Sequence, residues 1–490
     1  MRESYHNRML KKALVSVLLA GAPCAFGQNL PDLGASVGGP LSPQIERRIG
    51  ESIMREIRFR DPSFVDDPEV SDYLYVLGNR LVAASPGARG DFEFFAIRDP
   101  SINAFALPGG FVIVNTGLLL ASQSESELAS VLAHEIAHVT QRHISRLLGA
   151  QQQVQQLQIP AMVAIVAAGM LTGRADLVAG AAAAVQAGGI QAQINYTRDF
   201  EREADRIGFQ TLIAADFDPA AMPSFFDKMQ RYTRVSDDGT LPSYLRTHPV
   251  TTERIADAQN RAANLPYRQH LDTLEFHLVR AKLRAESGHA KEAVDHFAAA
   301  VQDRRYANEA AARYGHAVAL LRAGRLQEAA AEVVRLRELE VSSPMLETLD
   351  ARIRQARGDA AGGLAVLKAA VKRFSQRRTL AYAYASALVE AKRHEDAADF
   401  LAEQLHLFPR DDRLLELRAK TYAALGKRLL QHQTQAEVYV QRGSLHAAIE
   451  QLQLARAAGD GDFYQLSVID ARLRELRAQL VEEAKAEKQK

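Results

Sequence analysis

Apolar residues recur every three or four positions from Ser42 to Ala84, a helical spacing broken once by the run RDPSFVDDPEV. The aromatic-rich FEFFAIRD (92–99) then reads as a strand. INAFALPGGFVIVNTGLL (102–119) is two extended runs around Pro108-Gly109-Gly110, which predicts a hairpin with Phe111 to Val114 as its second strand. In SESELASVLAHEIAHVTQRHISRLL, Ser124 and Glu127 form a capping-box pattern at the start of a long helix. TRDFEREADRIGFQTL (197–212) predicts a second amphipathic helix whose apolar face includes Ala204, Ile207, Gly208 and Leu212.

Residues 160–190 are rich in Ala, Val, Ile and Gly, but Arg174 and Asp176 divide them. Each half is roughly a dozen residues, short of the ~20 that a helix needs to cross a bilayer. The expectation is an apolar helical flap near the site rather than a membrane hairpin.

Beyond residue 266 the chain becomes Ala/Leu/Arg/Glu-rich helix with a repeat. Gly288, Gly324, Gly358 and Lys392 fall at one turn position, at intervals of 36, 34 and 34 residues. Five residues after each come Ala293, Ala329, Gly363 and Ala397, and nine after come Phe297, Val333, Leu367 and Leu401. A small residue admits a close helix neighbour and the large one fills the next groove. The pattern resembles a degenerate tetratricopeptide repeat, including Pro409 where that repeat ends in proline. Such solenoids present concave surfaces to proteins or peptides.

Composition is that of a globular chain: 490 residues, 47% hydrophobic and 24% charged. The formal charge of +1 becomes −2 without residues 1–27, which carry four basic residues against one acidic. Bulk charge therefore gives no attraction for nucleic acid. RMLKKALVSVLLAGAPCAFGQ has the basic, apolar and small-residue parts of a cleaved export signal ending at Gly27. The one cysteine, Cys24, lies inside it, so the mature chain has no disulfides. The expected location is a bacterial periplasm, with at most peripheral membrane association.

The chemistry concentrates in VLAHEIAHVTQRH (131–143). At about 100° per residue, His134 and His138 lie some 40° apart on one helix face, where both imidazoles reach one ion. The pattern points to a single zinc ion, with Glu135 beside it to take a proton from water. The continued helix carries His143 about 180° away from His134, so it is expected at the surface. A third ligand must come from another element. Glu201 and Asp205 share a face of the second helix, while Glu203 points elsewhere. Either carboxylate can bind a metal while the other orients a ligating histidine, and an acidic helix start without a metal has the same pattern.

NAFALPGGFVIVNTGLL, LAHEIAHVTQRH and EREADRIG, in this order, resemble the M48 family of zinc metallopeptidases. The resemblance covers roughly residues 42 to 260. It implies Glu201 as third ligand, Asp205 as the partner orienting a ligand, and Glu135 as catalytic base. It also implies that His248, in LRTHPVTTERI (245–255), can fold over the metal as an inhibitory fourth ligand and leave the enzyme latent.

The expected fold is an α+β zincin-like metalloprotease domain, mainly helical with a small sheet and an active-site edge strand, followed by an all-α tetratricopeptide-repeat solenoid. The expected parts are a signal peptide (1–27), a protease domain (28–265) and a repeat domain (266–490). Substrate would lie extended along Phe111, Val112, Ile113 and Val114. By resemblance, the substrates are unfolded or misassembled outer-membrane proteins, and the repeats contact the outer-membrane β-barrel assembly machinery. The competing reading is a periplasmic chaperone or adaptor whose zinc site is structural and permanently closed by His248. In a third, residues 160–190 are a membrane anchor.

Overall fold

The computed structural model describes residues 41–151, 198–235, 243–266 and 270–488. The export-signal and flap segments expected at 1–27 and 160–190 lie outside the described residues. Helix α1 (Pro43–Arg60) starts at Ser42, whose side chain accepts the Ile45 N–H, and α2 (Pro68–Ala84) starts at Asp67, which accepts the Glu69 and Val70 N–H groups. The RDPSFVDDPEV run thus separates two capped helices.

Strands β1 (Glu93–Ile97), β2 (Ala104–Leu107) and β3 (Phe111–Asn115) form one sheet in the order β1-β3-β2. The β2–β3 hairpin is antiparallel, with Phe105 opposite Ile113, while β1 pairs in parallel with β3, Phe94 opposite Val112. Strand alternation divides the sheet between two apolar layers. Phe95, Ile97, Phe105, Phe111 and Ile113 pack with Ile49, Ile53 and Ile57 of α1. Phe94, Ala96, Ala106, Val112 and Val114 pack with α2 and with the long helix α4.

This topology corrects one expectation. Phe111–Val114 is the central strand, hydrogen-bonded to β1 on one side and β2 on the other, so it has no open edge for a substrate strand. Among the described residues, β2 is the strand nearest the histidines that is paired on one side only, and α4 packs against it. The Asn115 N–H bonds the Asn103 carbonyl, and antiparallel alternation therefore turns the N–H and C=O of Ala104 and Ala106 away from β3.

A short helix α3 (Thr116–Ala121) leads into α4 (Glu125–Thr140), where Ser124 accepts the Glu127 N–H and Glu127 in turn accepts the Gln123 N–H. Then follow α5 (His143–Gln151), α6 (Arg198–Ala214), α7 (Ala221–Val235), α8 (Ser243–Thr247) and α9 (Thr252–Ala263). No helix among the described residues is long and apolar enough to cross a membrane.

Twelve further helices run from Leu274–Glu286 to Phe463–Lys488. The four residues at the aligned turn position all have positive φ: Gly288, Gly324 and Gly358, and also Lys392 at +58°. The recurrence read from sequence is therefore a left-handed turn, which glycine adopts without strain. Ala293, Ala329 and Ala397 are buried, as are Phe297, Val333, Leu367 and Leu401. A Cβ on Gly363 would meet the Ala351 carbonyl at 2.9 Å, the close helix approach the pattern requires.

The described residues belong to one compact unit, and a single apolar core continues from Leu128 and Leu132 of α4 to Phe276, Tyr314 and Leu346. Charged groups reinforce the join. Lys282 is buried and lies 2.6 Å from both Asp67 and Glu69, and Glu69 also accepts the Thr348 hydroxyl. Glu125, in the first turn of α4, accepts the Thr273 N–H and hydroxyl at 3.0 and 2.7 Å. Replacing Lys282 with methionine strands two largely buried carboxylates. Urea unfolding of K282M is expected to show a loss of about 3–5 kcal/mol. An unchanged midpoint would mean the cluster does not hold the join.

Candidate metal centre

Helix α4 presents His134, Glu135 and His138 entirely inside the protein, all at 2% exposure or less. Helix α6 crosses it closely. A Cβ on Gly208 would lie 3.1 Å from the His134 backbone nitrogen, so glycine there lets α6 bring Glu201 and Asp205 to the histidines. The loop after α8 supplies His248, fully buried, with its N–H bonded to the Tyr244 carbonyl at 2.7 Å and its ring stacked on Tyr244.

Four donor atoms converge. His134 Nε2 lies 2.9 Å from His138 Nε2, 3.3 Å from His248 Nδ1 and 3.4 Å from Glu201 Oε2. Glu201 Oε1 lies 3.0 Å from His248 Nδ1 and 3.5 Å from His138 Nε2. Ligands about 2.0 Å from a tetrahedral zinc sit about 3.3 Å from one another, so the spacing fits such an ion. The proton arrangement fits as well. His134 Nδ1 is 3.0 Å from Asp205 Oδ1, and His138 Nδ1 is 2.8 Å from His143 Nδ1. With protons on both Nδ1 atoms, the two Nε2 lone pairs face each other at 2.9 Å, an arrangement that a cation between them would relieve. The four residues form a group able to hold a metal ion.

Glu135 stands beside the four donors, with Oε1 3.3 Å from His248 Nε2. Neither of its oxygens has a hydrogen bond of ordinary geometry. Burial pushes its carboxyl above the usual range, against the opposing pull of His248 and His134. The Ala106 backbone N–H on the β2 edge also faces it. Although burial opposes it, bonds to Asp205 and Glu201 push His134 up to about 9. Glu201 is held well below the usual range despite its burial, chiefly by His248 and His134. Burial and the neighbouring His134 keep His138 well below the ordinary imidazole value.

Two features escaped the sequence reading. His143 was expected at the surface, and it is fully buried against His138. Helix phase does not extend to His143, because α4 ends at Thr140 and Arg142 turns left-handed at φ +53°. The chain reverses there, held by Arg142 to Glu46 and to the Leu41 carbonyl, and α5 begins with His143 directed back at the site. Glu203, set aside as facing elsewhere, lies 3.1 Å from His143 Nε2. The other omission is Arg254, which bonds Asp205 at 2.6 and 2.8 Å, Glu201 at 2.8 Å and the Pro249 carbonyl at 2.8 Å. One guanidinium thus joins both α6 carboxylates to the loop that carries His248. In sequence it is one arginine on an amphipathic helix, and nothing there distinguishes it.

The model of peptidase family M48 matches residues 71–262. The beta-barrel assembly-enhancing protease of Escherichia coli (strain K12) is 33% identical over 485 residues, covering 96% of this chain and 97% of that protein. A Vibrio cholerae relative is 44% identical over 276 residues, 55% of this chain and 56% of its own length. A mitochondrial metalloendopeptidase OMA1 of Arabidopsis thaliana is 26% identical over 269 residues, 51% of this chain and 50% of the relative. By this likeness along almost its whole length, the chain belongs to peptidase family M48 and is a metalloendopeptidase.

Proposed function

We propose that the chain is a periplasmic zinc endopeptidase, one zinc ion per chain, that acts in quality control and assembly of outer-membrane β-barrel proteins and is latent at rest. The observation that carries the chemistry is the convergence of His134, His138 and Glu201 beside the fully buried carboxylate of Glu135. The biological setting is supported by the full-length likeness to a beta-barrel assembly-enhancing protease.

His134, His138 and Glu201 are the ligands, and Asp205 orients His134. A bound zinc ion supplies Lewis acidity, polarising the scissile carbonyl and acidifying the attacking water. Glu135 accepts the water's proton and delivers it to the leaving amine. Substrate backbone adds antiparallel to β2 through the outward N–H and C=O groups of Ala104 and Ala106, replacing the Phe111–Val114 assignment. That mode reads backbone, which suits unfolded strands. His248 is the latch: its ring lies between Glu135 and the ligands, where the reacting groups must meet. Opening requires Arg254 to release the Pro249 carbonyl.

Residues 1–27 are read as a cleaved signal, 28–265 as the protease and 266–490 as a tetratricopeptide-type solenoid that presents a surface to the assembly machinery. A second reading rests on the same histidine. Four protein ligands are the mark of a structural zinc site, as in an adaptor or chaperone closed permanently by His248.

The purified chain is expected to cleave a urea-unfolded outer-membrane β-barrel protein, to stop on chelation and to recover with Zn2+. Chelation is also expected to lower the unfolding temperature. A ligand at 1,000 times its Kd stabilises the folded state by about 4 kcal/mol. Absence of cleavage by both wild type and His248→Ala would sink the protease assignment, and an unchanged unfolding temperature would sink the metal site.

A further inference from the structure

His143 is fully buried and packs its ring parallel to Phe200, with centroids 4.6 Å apart and an interplanar angle of 11°. Its Nδ1 faces His138 Nδ1 at 2.8 Å, and its Nε2 faces Glu203 Oε2 at 3.1 Å. Arg146 bonds the same Glu203 oxygen at 2.8 Å and lays its guanidinium over Phe200. With both imidazoles neutral, donors and acceptors match in one way only. Glu203, paired with Arg146, accepts the His143 Nε2 proton. That leaves His143 Nδ1 as a bare acceptor, and His138 Nδ1 must be the donor to it. His138 then presents an unprotonated Nε2 to the other three converging atoms.

We propose that His143 and Glu203 are positioning residues that fix the tautomer and ring orientation of His138 for metal binding, the counterpart of Asp205 behind His134. The proposal rests on the zinc reading of the site. The two ligating histidines are supported by different chemistry. His134 has a buried carboxylate in direct contact, whereas His138 has a neutral imidazole backed by a carboxylate that is partly exposed. Loss of such a supporting partner weakens metal binding by about 10–100-fold.

The test is zinc affinity, measured at pH 7 by competition with a chromophoric chelator, without any substrate. His143→Phe keeps the stacking on Phe200 and removes the acceptor, so its Kd should rise by about 10–100-fold. His143→Asn places an amide oxygen where Nδ1 stands and should recover most of that loss. Glu203→Ala, which leaves the His143 proton unassigned, should weaken zinc in the same direction as His143→Phe. Wild-type affinity in His143→Phe would overturn the proposal while leaving the metal site intact. Equal weakening in His143→Phe and His143→Asn would also overturn it, since loss of packing alone would then explain the effect. A wild type that binds no zinc would overturn the zinc reading along with it.

Discussion

Glu135→Gln is expected to retain zinc and to lose cleavage by a factor of about 10²–10⁴, the usual contribution of a positioned general base. Glutamine has nearly the shape of glutamate and cannot accept the proton. Glu135 is not among the four converging donors, so metal content should match wild type. Stability should not fall. Glutamine fills the same space and leaves no uncompensated buried charge. Elemental analysis, initial rates and thermal unfolding on one preparation check all three. Cleavage at the wild-type rate with zinc retained would remove Glu135 from the mechanism.

His248→Ala carries the second large effect, and its sign separates two accounts. The imidazole is fully buried, with Nδ1 3.0 Å from Glu201 Oε1 and Nε2 3.3 Å from Glu135 Oε1. As a latch it excludes substrate from the space between base and ligands. A closed state favoured by a few kcal/mol leaves about 0.1–10% of molecules open, so its removal should raise the rate on the order of 10–1,000-fold. Three protein ligands remain, enough for a catalytic zinc. As a structural ligand, by contrast, His248 would take stability and metal with it when removed and uncover no hydrolysis.

Much of this site is legible from local pattern. The capped helix carrying His134 and His138, the hairpin at Pro108-Gly109-Gly110 and the Glu201/Asp205 helix each need only one stretch of chain. The repeat turns were legible too, because a left-handed position selects glycine whatever packs around it. The misread parts depend on contacts between stretches. A hairpin signal shows that β2 and β3 pair, but β1 joins β3 in parallel with no turn of its own to mark the event, so the central strand looked like an edge. His143 was misplaced because helix phase holds only while the helix continues, and the break at Arg142 has no glycine to announce it. Arg254 becomes meaningful only when α9 lies across α6 and its guanidinium meets two carboxylates and a carbonyl at once.

A protease site built from His134, His138, Glu201 and Glu135, with His248 as the proposed latch, makes one rate decisive. The most direct measurement is the initial rate of cleavage of an unfolded β-barrel protein, per bound zinc, for His248→Ala against wild type. A higher rate is expected in the variant at equal zinc occupancy. A variant that loses its zinc and cleaves no faster than wild type would contradict it.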